Sequence, residues 1–282
     1  MIKREPTMRV RRSCLQDWYG IEALVRKARY TSPALWPWET YLTAGGFVVV
    51  EVGRRIEGAL LASSDESPVA WVRLAVVSHR LDVERWLDIS LPPVVDYLRA
   101  RGVRQLVWMD HGGWERPYLV SRGFDPHTEV ITLSKHDRTT PDVAAVPVRL
   151  RPAANDDFPA LAALDRRAFP PTWWRSAASM KRRARTSSRF SVVEHQGQVI
   201  GYAERELHPP AAHLNRIAVA PAYQSRGIGA LLLKDALAQM WRGGAEMVSL
   251  NTQRSNRRSC RLYERFGFTP TGDGVIVWAL RL

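Results

Sequence analysis

The chain has 282 residues, 45% hydrophobic and 24% charged, which suits one large or two ordinary globular domains and excludes a disordered or fibrous chain. No apolar run approaches the roughly 20 residues of a membrane helix, the start MIKREPTMRVRR has no apolar stretch behind its charges, and two distant cysteines, Cys14 and Cys260, form neither a disulfide framework nor a metal cluster. The expectation is therefore a cytoplasmic protein without membrane segment or metal, whose net charge of +13, carried by 36 arginines and five lysines, favours anionic ligands or partners without choosing among them.

In chain order, MRVRRSCLQDWYGIEAL (8–24) reads as a short strand, a polar turn with Asp17 and an amphipathic helix. FVVVEVGRRIEGAL (47–60) is two strands about Gly53, and WVRLAVV (71–77) is a third. RGVRQLVW (101–108) is a further strand after a helix, and YLVSRGF (118–124) closes the set. SKHDRTTPDVAAVP (134–147) is polar, holds two prolines and lacks periodicity, so it reads as a linker.

The same series then returns. VRLRPAANDDFPALAAL (148–164) answers 8–24, with Asp157 for Asp17, and FSVVEHQGQVIGYA (190–203) answers 47–60. NRIAVA, GGAEMVSL and LYERFGF answer the other three at offsets of 142 to 144 residues. Five matches in order at nearly constant offset mean two copies of one α/β domain. The boundaries follow as domain 1–138, linker 139–146 and domain 147–282.

The second copy contains YQSRGIGALLL (223–233), where Gly227 and Gly229 precede a leucine run. Glycine there costs roughly 1 kcal/mol of helix stability against alanine, so something else should require the bare backbone. An anion held by the exposed N–H groups of a helix start is one such need. Ile228, Leu232 and Ala236, beside Leu233, Leu237 and Met240, lay this helix on a sheet. MKRRARTSSR (180–189) is the densest basic cluster, readable as a solvated helix face or as contact with an acidic partner or phosphate.

Strand RIAVAP, then Q-x-x-G-x-G (Gln224 to Gly229), a helix, strand MVSLN and N-x6-Y-x3-GF (Asn256, Tyr263, Gly267, Phe268) resembles the GNAT superfamily of acyl-CoA-dependent N-acyltransferases across 147–282. In the first half only the skeleton matches. The resemblance implies two tandem GNAT-fold domains, each a central mixed, largely antiparallel sheet flanked by helices. It also implies acetyl-CoA as co-substrate, bound at a loop that begins with Gln224, with its pyrophosphate on the N–H groups of Ser225, Arg226, Gly227, Ile228, Gly229 and Ala230. The pantetheine arm would pair with Ile217, Ala218 and Val219, and Asn256 aligns with a cofactor-binding asparagine.

Tyr263 aligns with the family tyrosine that faces the coenzyme sulfur, a phenol able to return a proton to a departing thiolate. NTQRSNRRSCRLYERFGF resembles the ribosomal-protein alanine acetyltransferases, but Asn251 replaces their glutamate. His213 stands where the histone-acetylating branch has a base, and Glu204 and Glu206 are reserves. Trp173 and Trp174 in AFPPTWWRSAASM (168–180) are candidates for an acceptor wall or for core packing. The acceptor amine stays open between a protein or peptide N-terminus and, by likeness to the tandem mycothiol synthases, a small cysteinyl amine. A non-catalytic CoA sensor or a basic nucleic-acid-associated module also stays open, as does monomer or homodimer. At the helix start of the first copy the sequence register sets Glu84 and Trp86 on Gly227 and Gly229, and Ala70 on His213, with Leu119 for Tyr263. The expectation is one acetyl-CoA site, in the second copy.

Overall fold

The computed structural model describes residues 8–28, 30–32, 38–272 and 274–282; MIKREPT of the starting segment lies outside them. The first sequence half gives β1 (Met8–Arg12), α1 (Trp18–Lys27), β2 (Tyr30–Ser32), β3 (Phe47–Val52), β4 (Arg55–Glu66), β5 (Val69–Val77), α2 (Val83–Arg99), β6 (Gln105–Met109), α3 (Arg116–Val120) and β7 (Asp125–Lys135). The second gives β8 (Arg149–Pro152), α4 (Phe158–Ala168), α5 (Ala177–Thr186), β9 (Ser188–His195) and β10 (Gln198–His208). It continues with β11 (Ala211–Val219), α6 (Ile228–Arg242), β12 (Met247–Gln253), α7 (Arg257–Arg265), β13 (Thr269–Pro270) and β14 (Val275–Arg281).

Two compact units form, and they do not follow the sequence halves. One comprises 1–127 with 275–282, the other 128–274. The expected division at 139–146 falls inside the second of these units. The closing strand of each half lies in the other half's unit: β14 pairs β6 and β7 pairs β12, both antiparallel. Sequence periodicity identifies a closing strand but carries no record of which copy it joins.

In the first unit the strand order is β1-β3-β4-β5-β6-β14, and β2 also pairs β5. The sheet is apolar on both faces, which explains why FVVV shows no polar alternation. Val48 and Val50 join a core with α2 residues Trp86, Leu87 and Val94, while Phe47 and Val49 join one with Ile21 and Leu24 of α1.

The second unit has the order β7-β12-β11-β10-β9-β8, with β13 on β7. Its sheet is likewise clad twice. Ile228, Leu232, Leu233, Ala236 and Leu237 of α6 pack on one face with Val193 and Leu214. Phe158, Leu161 and Leu164 of α4 and Met180 of α5 pack on the other with Val192 and Tyr202.

The repeat extends to single hydrogen bonds. Arg11 clamps both oxygens of Asp17 at 2.7 Å and reaches Glu51 through Nε at 2.9 Å. Arg151 does the same to Asp157 at 2.7 and 3.0 Å and to Glu194 at 3.0 Å. In both copies the clamped aspartate also accepts the backbone N–H three residues earlier, from Cys14 or Ala154. The arginine thus ties the first strand, the turn and the next strand together, with bidentate geometry that favours a fixed arrangement.

Candidate functional site

In the second unit the central strand β11 changes partners along its length. It pairs β12 in parallel only from Ala211↔Met247 to Leu214↔Leu250, while β12 itself continues along β7 to Gln253. Beyond Leu214 the two strands part, and the β12-facing edge of Asn215–Val219 meets no strand among the described residues. On its other edge β11 stays paired with β10, except at a bulge: Glu204 faces Arg216 and Arg205 faces Leu214, so Asn215 is the extra residue. Ile217, Ala218 and Val219 therefore offer backbone groups along an open edge, where another extended chain can pair. The bulge was not visible in the sequence.

At the end of this strand the loop turns through two left-handed residues, Ser225 (φ +62°) and Gly227 (φ +83°), into α6. Gly227 is explained by this conformation, which costs an L-residue about 1–2 kcal/mol. Ser225 bears that strain with a side chain, as residues at ligand clamps do. No side chain caps α6 and no carboxylate lies in its first turn. The first helical bond runs from Leu231 N–H to the Gly227 carbonyl (3.0 Å), so the N–H groups of Ile228, Gly229 and Ala230 have no acceptor within the helix.

Gly229 has a different explanation from Gly227. Its φ is not positive, and a Cβ there would meet nothing nearer than Leu262 Cδ2 at 3.6 Å, an ordinary contact. Neither backbone nor packing requires glycine at 229. A uncapped, positively polarised helix start with a bare second residue fits an anion, and a pyrophosphate fits it well. Gln224 braces the loop, donating to the Val219 carbonyl (3.0 Å) and accepting from Arg258. The Arg226 guanidinium lies over the Tyr223 ring, 5.4 Å from its centre.

In the first unit the same framework closes the corresponding features. Its β5 parts from β6 after Trp71↔Val107, but the vacated edge is filled: Tyr30, Thr31 and Ser32 of β2 pair with Val77, Val76 and Ala75. The helix start is closed too, because Asp82 caps α2 by accepting from Arg85 N–H at 2.9 Å, with Glu84 in the first turn. The sequence register needs correction here. The loop before α2 has five residues (78–82) and that before α6 has eight (220–227), so Asp82 and Glu84, not Glu84 and Trp86, stand at Gly227 and Gly229. Along β5 the pairing sets Trp71, not Ala70, against His213. In this register two carboxylates occupy the start of α2. Trp86 is fully buried against Gly58. Leu119 does match Tyr263, since each carbonyl accepts the N–H of the phenylalanine five residues on, at 3.1 and 3.0 Å.

Tyr263 lies on α7, 7% exposed, in the core cluster with Leu214, Leu250 and Cys260. Its hydroxyl has no hydrogen-bond partner among the described residues, although its ring rests edge-on to Phe268. Burial pushes the phenol up to about 12, with Cys260 adding to the shift and Arg216 opposing it. It is a firmly protonated donor with its proton unspent. Asn256 caps α7, its Oδ1 accepting from Ser259 N–H at 3.2 Å, which gives that asparagine a structural reason of its own.

His213 occupies the opposite face of β11, beside Glu206 on β10 and Ser249 on β12. Its Nδ1 lies 2.8 Å from Ser249 Oγ, and Ser249 donates to the Ala212 carbonyl at 3.4 Å. That direction leaves Ser249 Oγ to accept from Nδ1–H, so we assign the lone pair to Nε2. Burial lowers the imidazole below its ordinary value, with Glu206 pulling the other way. The ring is therefore neutral near pH 7.

The reserve carboxylates are already engaged. Glu204 is fully buried and held by Arg175, Arg183 and Ser188 Oγ. Burial works to raise it, but the two arginines prevail and keep it below the usual carboxylate range. Glu206 accepts from Arg183 at 2.9 Å and from Ser188 at 2.8 Å and is lowered likewise, against its own burial. Nearby, Asp165 receives Arg216 (2.7 Å) and the Tyr202 hydroxyl (2.5 Å). Arg216 also donates to the Trp173 carbonyl at 2.9 Å, and Trp174 Nε1 donates to the Phe169 carbonyl at 2.8 Å. The arginine–carboxylate network thus pins the 168–180 segment, with both tryptophans half-buried in it. MKRRARTSSR divides in the same way: Arg183 turns inward, while Lys181, Arg182 and Arg185 line a hollow of about 470 Å³ on the outer face of α5. Asn251 is exposed and accepts from Thr132 Oγ1 at 2.9 Å.

Among the described residues no group of metal-ligating side chains and no helix long and apolar enough to cross a membrane occurs. Residues 154–268 match the Acetyltransferase (GNAT) family. A mycothiol acetyltransferase of Acidimicrobium ferrooxidans is 31% identical over 97 residues, which cover 32% of this chain and 31% of that protein. The match thus spans about a third of that relative's length. A ribosomal-protein alanine N-acetyltransferase of Escherichia coli is 28% identical over 136 residues, 44% of this chain and 90% of the other. Among solved structures, a tandem GNAT protein from the clavulanic acid biosynthesis pathway superposes with a TM-score of 0.69 at 17% identity, covering 98% of both chains. Residues 154–268 therefore resemble the Acetyltransferase (GNAT) family, and the chain as a whole shares the fold of a tandem GNAT protein.

Proposed function

We propose that the protein is an acetyl-CoA-dependent N-acetyltransferase with one working site, in the second unit, acting on a primary amine within a ternary complex. The observation that carries this is the open edge of β11 running into the uncapped start of α6, where the backbone offers donors that the protein does not use. When bound, acetyl-CoA supplies the acetyl group as a reactive thioester.

The loop 224–230 binds the pyrophosphate through the backbone N–H groups of 225–230, and Ile217–Val219 orient the pantetheine arm by strand-like pairing. Tyr263 holds a proton at its hydroxyl for the leaving sulfur, because its raised pKa lies above that of a thiol. His213 Nε2 accepts the proton of the incoming amine, directly or through water; Glu204 and Glu206 keep their lone pairs committed to arginines and serines, which leaves the imidazole the better acceptor. Backbone N–H groups beside the bulge face the charge that develops on the thioester carbonyl oxygen. Asn256 contributes by fixing the start of α7, and hence Tyr263.

The relatives' names give two leads, a ribosomal protein's alanine and mycothiol. The proposal keeps the class to a protein or peptide N-terminus or a small amine. The direct test is thiol release from acetyl-CoA against a panel of amines and peptides, followed by mass spectrometry of products from a cell extract. Binding of CoA without acetyl transfer to any fraction would favour a CoA-sensing role instead.

A further inference from the structure

Asn215 is anomalous on three counts. It is the bulge residue of β11, skipped by the β10 register between Glu204↔Arg216 and Arg205↔Leu214. It directly follows Leu214, the last residue paired with β12, and so sits at the crotch where the strands part. Its Nδ2 is shielded from solvent yet donates to nothing.

A buried amide donor left unpaired costs stability, and native structures rarely keep one without a reason. The surroundings show that polar groups here can be satisfied. On adjacent positions His213 finds Ser249, and Arg216 finds Asp165 and Trp173. A bulge beside a site re-aims one side chain relative to the regular strand. On either side of this polar stretch the strand is apolar, with Ala212 buried in the α6-side core and Ala218 in the α4-side core.

We propose that the side-chain amide of Asn215 is a catalytic donor: its Nδ2–H₂ hydrogen-bonds the carbonyl oxygen of the acetyl thioester at the crotch of β11 and β12. This rests on the acetyl-CoA reading above. During attack the amine nitrogen forms a bond to the carbonyl carbon, the carbonyl π pair moves onto oxygen, and the Asn215 donor meets the charge gathered there. Collapse re-forms the carbonyl, breaks the carbon–sulfur bond and sends that pair to sulfur. The side chain would then supplement the backbone donors, which alone are uniform along any strand.

The test uses the full chain and needs no acceptor. Affinities for acetyl-CoA and for CoA are measured by calorimetry in the wild type, Asn215→Ala and Asn215→Asp. The infrared band of acetyl-CoA labelled with ¹³C at the carbonyl is recorded in each complex. The proposal expects acetyl-CoA to bind roughly 3- to 10-fold more weakly in both variants, CoA to bind unchanged, and the carbonyl band to move to higher frequency than in the wild type. The aspartate variant preserves shape, so it stands in should the alanine variant fail to fold. With an acceptor in hand, kcat should fall about 10²-fold. Equal weakening of both ligands, or an unmoved carbonyl band, overturns the assignment while leaving the acetyl-CoA reading intact. Absence of any CoA binding by the wild type overturns that reading and this proposal with it.

Discussion

Gly229→Ala separates a glycine kept for the fold from one kept for a ligand. The new Cβ would lie 3.6 Å from Leu262 Cδ2 with nothing closer, and the backbone there is helical without positive φ. Alanine is therefore accommodated, and it lowers the entropy of the unfolded chain. The interior value of about 1 kcal/mol is an upper bound for the first turn, so the ligand-free protein should gain a few tenths to 1 kcal/mol. For a protein of this size that raises Tm by roughly 1–4 °C. The same methyl stands among the N–H groups of 228–230. Losing one charge-assisted hydrogen bond costs about 1.5–3 kcal/mol, a tenfold or greater loss in CoA affinity. Thermal melting without ligand and calorimetry with CoA measure the two effects, which should have opposite signs. A lowered Tm without ligand, or a CoA Kd within twofold of wild type, would refute the reasoning. Gly227→Ala supplies the contrast, since its φ of +83° and the Val146 Cγ2 3.3 Å from the new Cβ predict loss of stability first.

Tyr263→Phe removes a hydroxyl that bonds nothing among the described residues, so melting and CoA affinity should hold while turnover falls about 10²- to 10⁴-fold; turnover within threefold of wild type would return Tyr263 to a packing role. His213 has a folded pKa below 6.5, so the native ring stays neutral while the unfolded one protonates; stability linked to it is fully present above pH 6.5 and is lost as pH falls from there through the lower folded value. The acid limb of the pH–rate profile should accordingly lie below 6.5 and disappear in His213→Ala, and an unchanged profile would move the base elsewhere. Asp82→Ala removes the cap of α2 and should cost about 1 kcal/mol of stability in denaturant titration without altering CoA affinity; an altered affinity would implicate the first unit in binding.

The repeat and the glycine-bearing turn into α6 were legible because they rest on local signals: offsets, glycines and apolar spacing. Matching ion clamps at Arg11 and Arg151 confirm that the copies share detail, not only outline. What escaped was set by long-range pairing. The exchange of β7 and β14 leaves no mark on either strand's own pattern. The bulge at Asn215 depends on the partner register, and the three-residue difference between the loops before α2 and α6 shifted the copies' alignment just where the comparison mattered. The filling of the first copy's fork by Tyr30–Ser32 was hidden because three residues are too few to read as a strand. Arg183 read only as part of a basic cluster, a solvated helix face or an acidic contact, until the buried Glu204 was placed beside it.

The central claim is that one framework appears twice but binds once. In the first unit β2 takes the open edge and Asp82 takes the helix start; in the second both are left to a ligand. Calorimetric titration of the intact chain with acetyl-CoA tests this most directly, with Gly227→Glu as the paired variant, which copies a carboxylate into the loop. The account predicts saturation at one molecule per chain in the wild type and none in the folded variant. Saturation at two molecules per chain, or near-normal affinity in Gly227→Glu, would contradict it.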